Sequence, residues 1–317
     1  MKTSLRLALL IPLLMCGVAL ATSLYVARVH SPIRSTLASS FQLLGTPVKL
    51  LDRMASRVVP VSALDEREFG DIYRMRYDAQ VISGNTDQTY LDALMATIKS
   101  FTHRPFPYRA YVVGSYGAPN AMALPGGVIL VTKELLDTLN SESELIAVLA
   151  HEVGHIEQGH CFDTVRFQLL TRKIGSDTLG ALVDAAAQIL LRHAYNKTTE
   201  GEADEYSYKL LVNSRYNPLG VGRSFSSLRR YMKSRGAQTP QHAHPIRDYF
   251  MSHPPLEIRE AEYSERAVVW WKRHPGERRY VGQQNLLDRK AFDTLDVSGE
   301  WVKVPIEGTN SSDLKVF

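Results

Sequence analysis

The sequence predicts a mainly helical α+β domain with a small mixed sheet, preceded by one N-terminal hydrophobic helix. Three observations carry this reading. Most of the chain beyond residue 65 places apolar residues at helical spacing. Only short segments between residues 108 and 132 show β-former patterning, with Pro125-Gly126-Gly127 as a tight turn among them. An uncharged apolar stretch of about 21 residues, Leu7 to Ala27, lies near the N-terminus and is long enough to cross a hydrocarbon core as a helix.

Lys2 and Arg6 precede that stretch, and Arg28 and His30 close it. Two readings of residues 1–30 stay open. One is an uncleaved signal anchor; the other is a signal peptide cut after Ala19-Leu20-Ala21. Cys16 does not make a lipobox, because Met15 before it is not small. Either reading places the bulk of the chain outside the cytoplasm, and in the anchor reading this helix makes the membrane contact.

Residues 31–64 form a connecting region in which Ser35 to Leu51 can be helical and Pro60 ends what precedes it. The main domain is expected over residues 65–265. Glu66 to Gln80 and Thr89 to Ser100 read as helices separated by the turn Ser83-Gly84-Asn85. Tyr108 to Val113 and Val128 to Thr132 read as strands, with Asn120 to Leu124 extended between them. A short helix follows, from Thr132 to Leu139. Ser141 and Glu144 form a capping box that starts a helix reaching about Gly159. Further helices are expected over Ser176 to Tyr195, Thr198 to Asn213, the stretch after Asn217-Pro218-Leu219-Gly220 up to Ser234, and Leu256 to Ala267. Residues 266–317 are weakly patterned and have no assigned role; Trp270 and Trp271 within them are expected to pack on the domain.

The bulk numbers are those of a globular protein: 317 residues, 44% hydrophobic, 22% charged, net charge +4. The basic clusters at Arg223 to Arg235 and Arg266 to Arg279 read as solvated helix faces, and no nucleic-acid module accompanies them. With only Cys16 and Cys161, a disulfide framework is excluded.

His151-Glu152-Val153-Gly154-His155 is an H-E-x-x-H motif on the capped helix. Residues four apart share a helix face, so both imidazoles can reach one ion, and Glu152 lies about 100° around, beside it. There it can take a proton from a zinc-bound water. Leu145, Leu149, Val153 and Ile156 fall on another face and anchor the helix. On the same wheel His160 falls about 180° from His151 and reads as a surface or packing histidine. Cys161 reads as an inert thiol.

A third ligand is expected from Glu200-Gly201-Glu202-Ala203-Asp204. Glu200 and Asp204 share a helix face: Glu200 can ligate, and Asp204 can accept a hydrogen bond from a ligand histidine and fix its tautomer. Glu202 points away, while Ala203 and Ser207 are small enough to let two helices approach. A metzincin arrangement does not fit, because Gln158 and Cys161 stand where glycine and histidine would be needed.

With Asn120 to Gly127, His151 to His155, Glu200 to Asp204, and Ser252-His253-Pro254-Pro255 with Arg259 in this order, the chain resembles the HtpX, CAAX-prenyl-protease and BepA-like zinc metallopeptidases, family forty-eight of the metallopeptidases. The resemblance covers about residues 65 to 265. It implies a zincin-like metalloprotease domain of the gluzincin type. One Zn²⁺ per chain would be held by His151, His155 and Glu200, with Glu152 as general base. It implies that Asn120, Ala121, Met122 and Ala123 form a sheet edge to which a peptide substrate adds as a strand. His253 is a candidate zinc cap, and with Tyr206 and Tyr208 a candidate oxyanion stabiliser. The expected activity is metalloendopeptidase cleavage of protein substrates, misfolded or envelope proteins among them, in the bacterial cell envelope, either anchored in the inner membrane and facing the periplasm or free in the periplasm. The family's membrane-embedded members have several spanning helices; this chain has at most one such stretch, which argues against prenylated substrates. An envelope chaperone or assembly factor with a latent peptidase site is the alternative.

Overall fold

A computed structural model describes residues 63–114, 118–171, 186–187, 189–190, 195, 197–234 and 256–303. The apolar stretch at residues 7–27, the connecting region, most of the helix expected over 176–195, and the loop with His253 lie outside the described residues. Among the described residues, no helix is long and apolar enough to cross a membrane.

Helices α1 (Ala63–Asp78) and α2 (Thr86–Lys99) come first. Asn85 caps α2 by accepting from the Gln88 amide at 3.1 Å. A three-stranded sheet follows, built from β1 (Arg109–Val113), β2 (Ala121–Leu124) and β3 (Val128–Thr132) in the order β1-β3-β2. β1 runs parallel to β3 and β2 antiparallel to it, so the sheet is mixed as expected and β2 is an edge. Thr132 ends β3 and caps the short α3 (Lys133–Thr138) through the Leu135 amide.

The central element is α4 (Glu142–Glu157). Ser141 Oγ accepts from the Glu144 amide at 3.3 Å, the first half of the capping box. The Glu144 carboxylate reaches the amide of Asn140 at 3.1 Å rather than that of Ser141. Leu145, Leu149, Val153 and Ile156 are fully buried, and α4 packs against β2, α6 (Lys197–Val212) and α7 (Leu219–Ser234). Between α4 and α6 lies α5 (His160–Thr171), a helix the sequence reading did not anticipate. Long α8 (Leu256–Arg273) lies along α7.

The C-terminal stretch has a definite place. β4 (Arg279–Tyr280) pairs with β5 (Trp301–Val302), with α9 (Gln283–Asp288) between them. The first-turn amides of α4 would have no partner within the helix. Here Glu142 donates to Gly282 O at 2.8 Å and Ser143 to Val281 O at 3.0 Å. Trp271 is buried and donates to Asn217 Oδ1 at 3.2 Å, with Trp270 against it edge to face.

Candidate active site

Each expected ligand side chain is positioned by its helix. His151 and His155, one turn apart on α4, bring their Nε2 atoms to 3.1 Å of each other. α6 crosses α4 with its small residues at the contact, and Ser207 Oγ donates to Ala147 O at 2.7 Å. That approach sets Glu200 Oε2 3.6 Å from His151 Nε2 and Glu200 Oε1 3.4 Å from His155 Nε2. The three residues are buried, and one ligand atom from each lies within 4.8 Å of the others. A tetrahedral ion with bonds of about 2.0–2.2 Å spaces its ligand atoms about 3.3–3.6 Å apart. The donor set and spacing therefore fit a metal ion.

The ring of His151 is fixed from behind. Its Nδ1 lies 2.9 Å from Asp204 Oδ1. Asp204 in turn accepts from Arg259, Nε to Oδ2 at 2.7 Å and Nη2 to Oδ1 at 2.5 Å, and the same guanidinium places Nη1 3.1 Å from Glu200 Oε2. Burial alone would raise the Asp204 pKa, but Arg259 and His151 outweigh it and hold the carboxyl well below its usual range. For His151, burial opposes the charged form, and Asp204 with Glu200 outweigh it, so its pKa is raised. The guanidinium also lies over the Phe225 ring, 4.3 Å from its centroid. In the sequence Arg259 stands only as part of a motif; in the fold three of its nitrogens tie two buried carboxylates together.

Glu152 is buried and turned towards the sheet edge, where its Oε2 accepts from the Ala123 amide at 2.8 Å. Asn120, Ala121, Met122 and Ala123 are themselves buried. Asn120 is tied to β3 at both ends of its peptide unit, donating from N to Thr132 Oγ1 and accepting at O from Thr132 N. Beside His151 and Glu152 is a cavity of about 50 Å³ lined mainly by apolar side chains, including Val148, Val221, Phe225 and Leu228.

Two expectations need correction. His160 is not a surface or packing residue opposite the ligands. α4 stops at Glu157, and Gly159 takes φ +77°, the left-handed region, so α5 starts in a new direction at His160. The wheel of α4 does not extend that far. His160 is buried, with Nδ1 3.0 Å from His155 Nδ1 and Nε2 2.7 Å from Glu202 Oε2. Tyr206 and Tyr208 do not direct their hydroxyls into the site: the first donates to Phe101 O at 2.9 Å, the second to Arg266 O at 3.0 Å. Cys161 is buried and accepts from Tyr195 OH at 3.4 Å; burial pushes its thiol pKa up, as an inert thiol requires. The Tyr195 ring stacks on His155 with centroids 4.2 Å apart.

Comparison with known proteins places these residues in a family context. The model of Peptidase family M48 matches residues 85–267. The chain is 29% identical over 142 residues to Metalloprotease LoiP of Escherichia coli (strain K12), covering 42% of this chain and 55% of that protein. It is 26% identical over 175 residues to Metalloprotease YcaL of the same organism, covering 51% and 62%. It is 27% identical over 220 residues to the Beta-barrel assembly-enhancing protease of Yersinia pestis, covering 63% and 44%. In each case the match spans less than two thirds of the relative's length.

Proposed function

The chain belongs to peptidase family M48, and from that premise we propose that it is a zinc-dependent metalloendopeptidase acting on protein substrates in the bacterial cell envelope. The observation that carries the reading is the meeting of His151 Nε2, His155 Nε2 and a Glu200 oxygen at tetrahedral spacing, with Glu152 beside them. Two imidazoles and one carboxylate, with no thiolate, are the donor set of an open catalytic zinc site rather than a closed structural one. When bound, the zinc supplies Lewis acidity and lowers the pKa of its water towards 7.

The chain's own groups do the rest. Glu152 is the general base that takes the proton of the attacking water and returns it to the leaving amine. Its hydrogen bond from Ala123 N keeps the carboxylate oriented between helix and sheet edge. Asp204 holds the proton of His151 on Nδ1, which leaves Nε2 free to ligate. β2 offers the edge along which an extended peptide aligns, and the apolar cavity takes an apolar substrate side chain next to the cleaved bond. The envelope setting is supported by the apolar stretch at residues 7–27 and by the relatives named for β-barrel assembly.

Zinc content and casein degradation, measured on the wild type beside Glu152→Gln, test the proposal. The wild type should hold about one zinc and degrade casein; the variant should keep the zinc and lose at least about 100-fold in rate. Equal rates would sink the mechanism.

A further inference from the structure

We infer that His160 and Glu202 are positioning residues for the metal ligand His155, acting as a carboxylate–imidazole relay behind its ring. The inference rests on the metal-centre reading of His151, His155 and Glu200.

Proton bookkeeping supports it. A histidine that ligates through Nε2 must carry its proton on Nδ1. The group facing His155 Nδ1 at 3.0 Å is His160 Nδ1, which must then be the acceptor. The proton of a neutral His160 is thereby placed on Nε2, which faces Glu202 Oε2 at 2.7 Å. Each donor meets an acceptor, and the chain ends on a carboxylate. It mirrors the other ligand, where His151 Nδ1 meets the Asp204 carboxylate directly at 2.9 Å. The difference is one inserted imidazole, which carries the influence of the partly exposed Glu202 to a fully buried ligand.

The placement in the fold points the same way. The relay draws on three helices: His155 from α4, His160 from the start of α5 and Glu202 from α6. Glu202 stands two residues from the ligand Glu200, so one turn of α6 serves both nitrogens of His155. Glu200 Oε1 lies 3.4 Å from Nε2, and Glu202 reaches Nδ1 through His160. Outer partners of this kind fix a ligand's tautomer and orientation, and their loss typically costs 10–100-fold in metal affinity.

A purely structural tie between helices would lower the stability of the apo protein but not its intrinsic grip on the metal. The experiment therefore measures zinc dissociation constants of the full chain by chelator competition, the visible spectrum of the Co²⁺-loaded protein, and the apo melting temperature. The variants are His160→Leu, His160→Asn and Glu202→Ala. His160→Leu should weaken zinc binding about 10–100-fold and change the Co²⁺ spectrum. His160→Asn, whose amide oxygen can accept from His155 Nδ1, should recover most of the affinity. Glu202→Ala, at a partly exposed position, should lose several-fold and decides the matter if the leucine variant does not fold. Wild-type affinity and spectrum in the folded variants, whatever the melting temperatures, would overturn the relay alone. A wild type that takes up no zinc would overturn the metal-centre reading beneath it.

Discussion

The backbone amide of Ala123 donates to Glu152 Oε2 at 2.8 Å, joining the sheet edge to the acidic residue of the H-E-x-x-H helix. That amide is turned out of the β2–β3 ladder, so proline at this edge position removes it without breaking a strand pair. Ala123→Pro is expected to keep fold and zinc while lowering casein cleavage by tenfold or more, since a misaligned base forfeits part of its roughly 10²–10⁴-fold contribution. An unchanged rate would separate the edge strand from catalysis.

Arg259 compensates two buried carboxylates, Asp204 and Glu200. Removing one partner of a buried ion pair typically costs about 3–5 kcal/mol. Arg259→Met is expected to destabilise the apo protein by about that amount and the zinc-loaded protein by clearly less, because the metal's charge replaces the guanidinium's. Urea unfolding with and without zinc measures both; equal losses would contradict this account.

Gly154 lies where α4 meets α6. A Cβ there would stand 3.0 Å from Tyr206 Cβ and 3.1 Å from Ala203 Cα, closer than side chains normally approach. Gly154→Val is expected to wedge the helices apart and weaken zinc binding more than tenfold, with Gly154→Ala milder, because Glu200 must stay within reach of both histidines. Chelator competition reports the effect, and wild-type affinity in the valine variant would refute it.

Glu142, the first residue of α4, is a buried carboxyl that accepts from Tyr216 OH at 2.6 Å, Tyr90 OH at 3.0 Å and the Phe292 amide at 3.2 Å. Burial pushes its pKa up to about 7 from the ordinary 4.5, with these donors opposing the shift. Between those values the folded protein keeps a proton that the unfolded chain releases, so stability falls as pH rises through this window. Above it the loss levels off at about 3 kcal/mol at most. Glu142→Gln carries no such proton. Its stability relative to wild type should therefore rise from pH 5 to pH 8 in denaturant titrations, and a constant difference would show that Glu142 is not the group responsible.

Residues close together along the chain decide its local structure without help from the fold. Ser141 had to cap a helix; His151 and His155, four apart, had to share a face of it; Glu200 and Asp204 had to share a face of another. The short strands were legible from β-former patterning around Pro125-Gly126-Gly127, whereas their mixed pairing is set by the fold. These are consequences of helical and strand periodicity, which a local window contains. Periodicity failed at Gly159, where one positive φ ended the helix and turned His160 from the far side of a wheel into a partner of His155. Nor could it show that Gly282 and Val281 satisfy the first-turn amides of α4, or that Arg259 binds Asp204 and Glu200 together. Those partners are separated by tens to more than a hundred residues. Only the packing of α4 against α6 and the C-terminal chain, and the reach of Arg259 from α8 to α6, chooses them, because a buried polar group is satisfied by whatever the fold brings within about 3 Å.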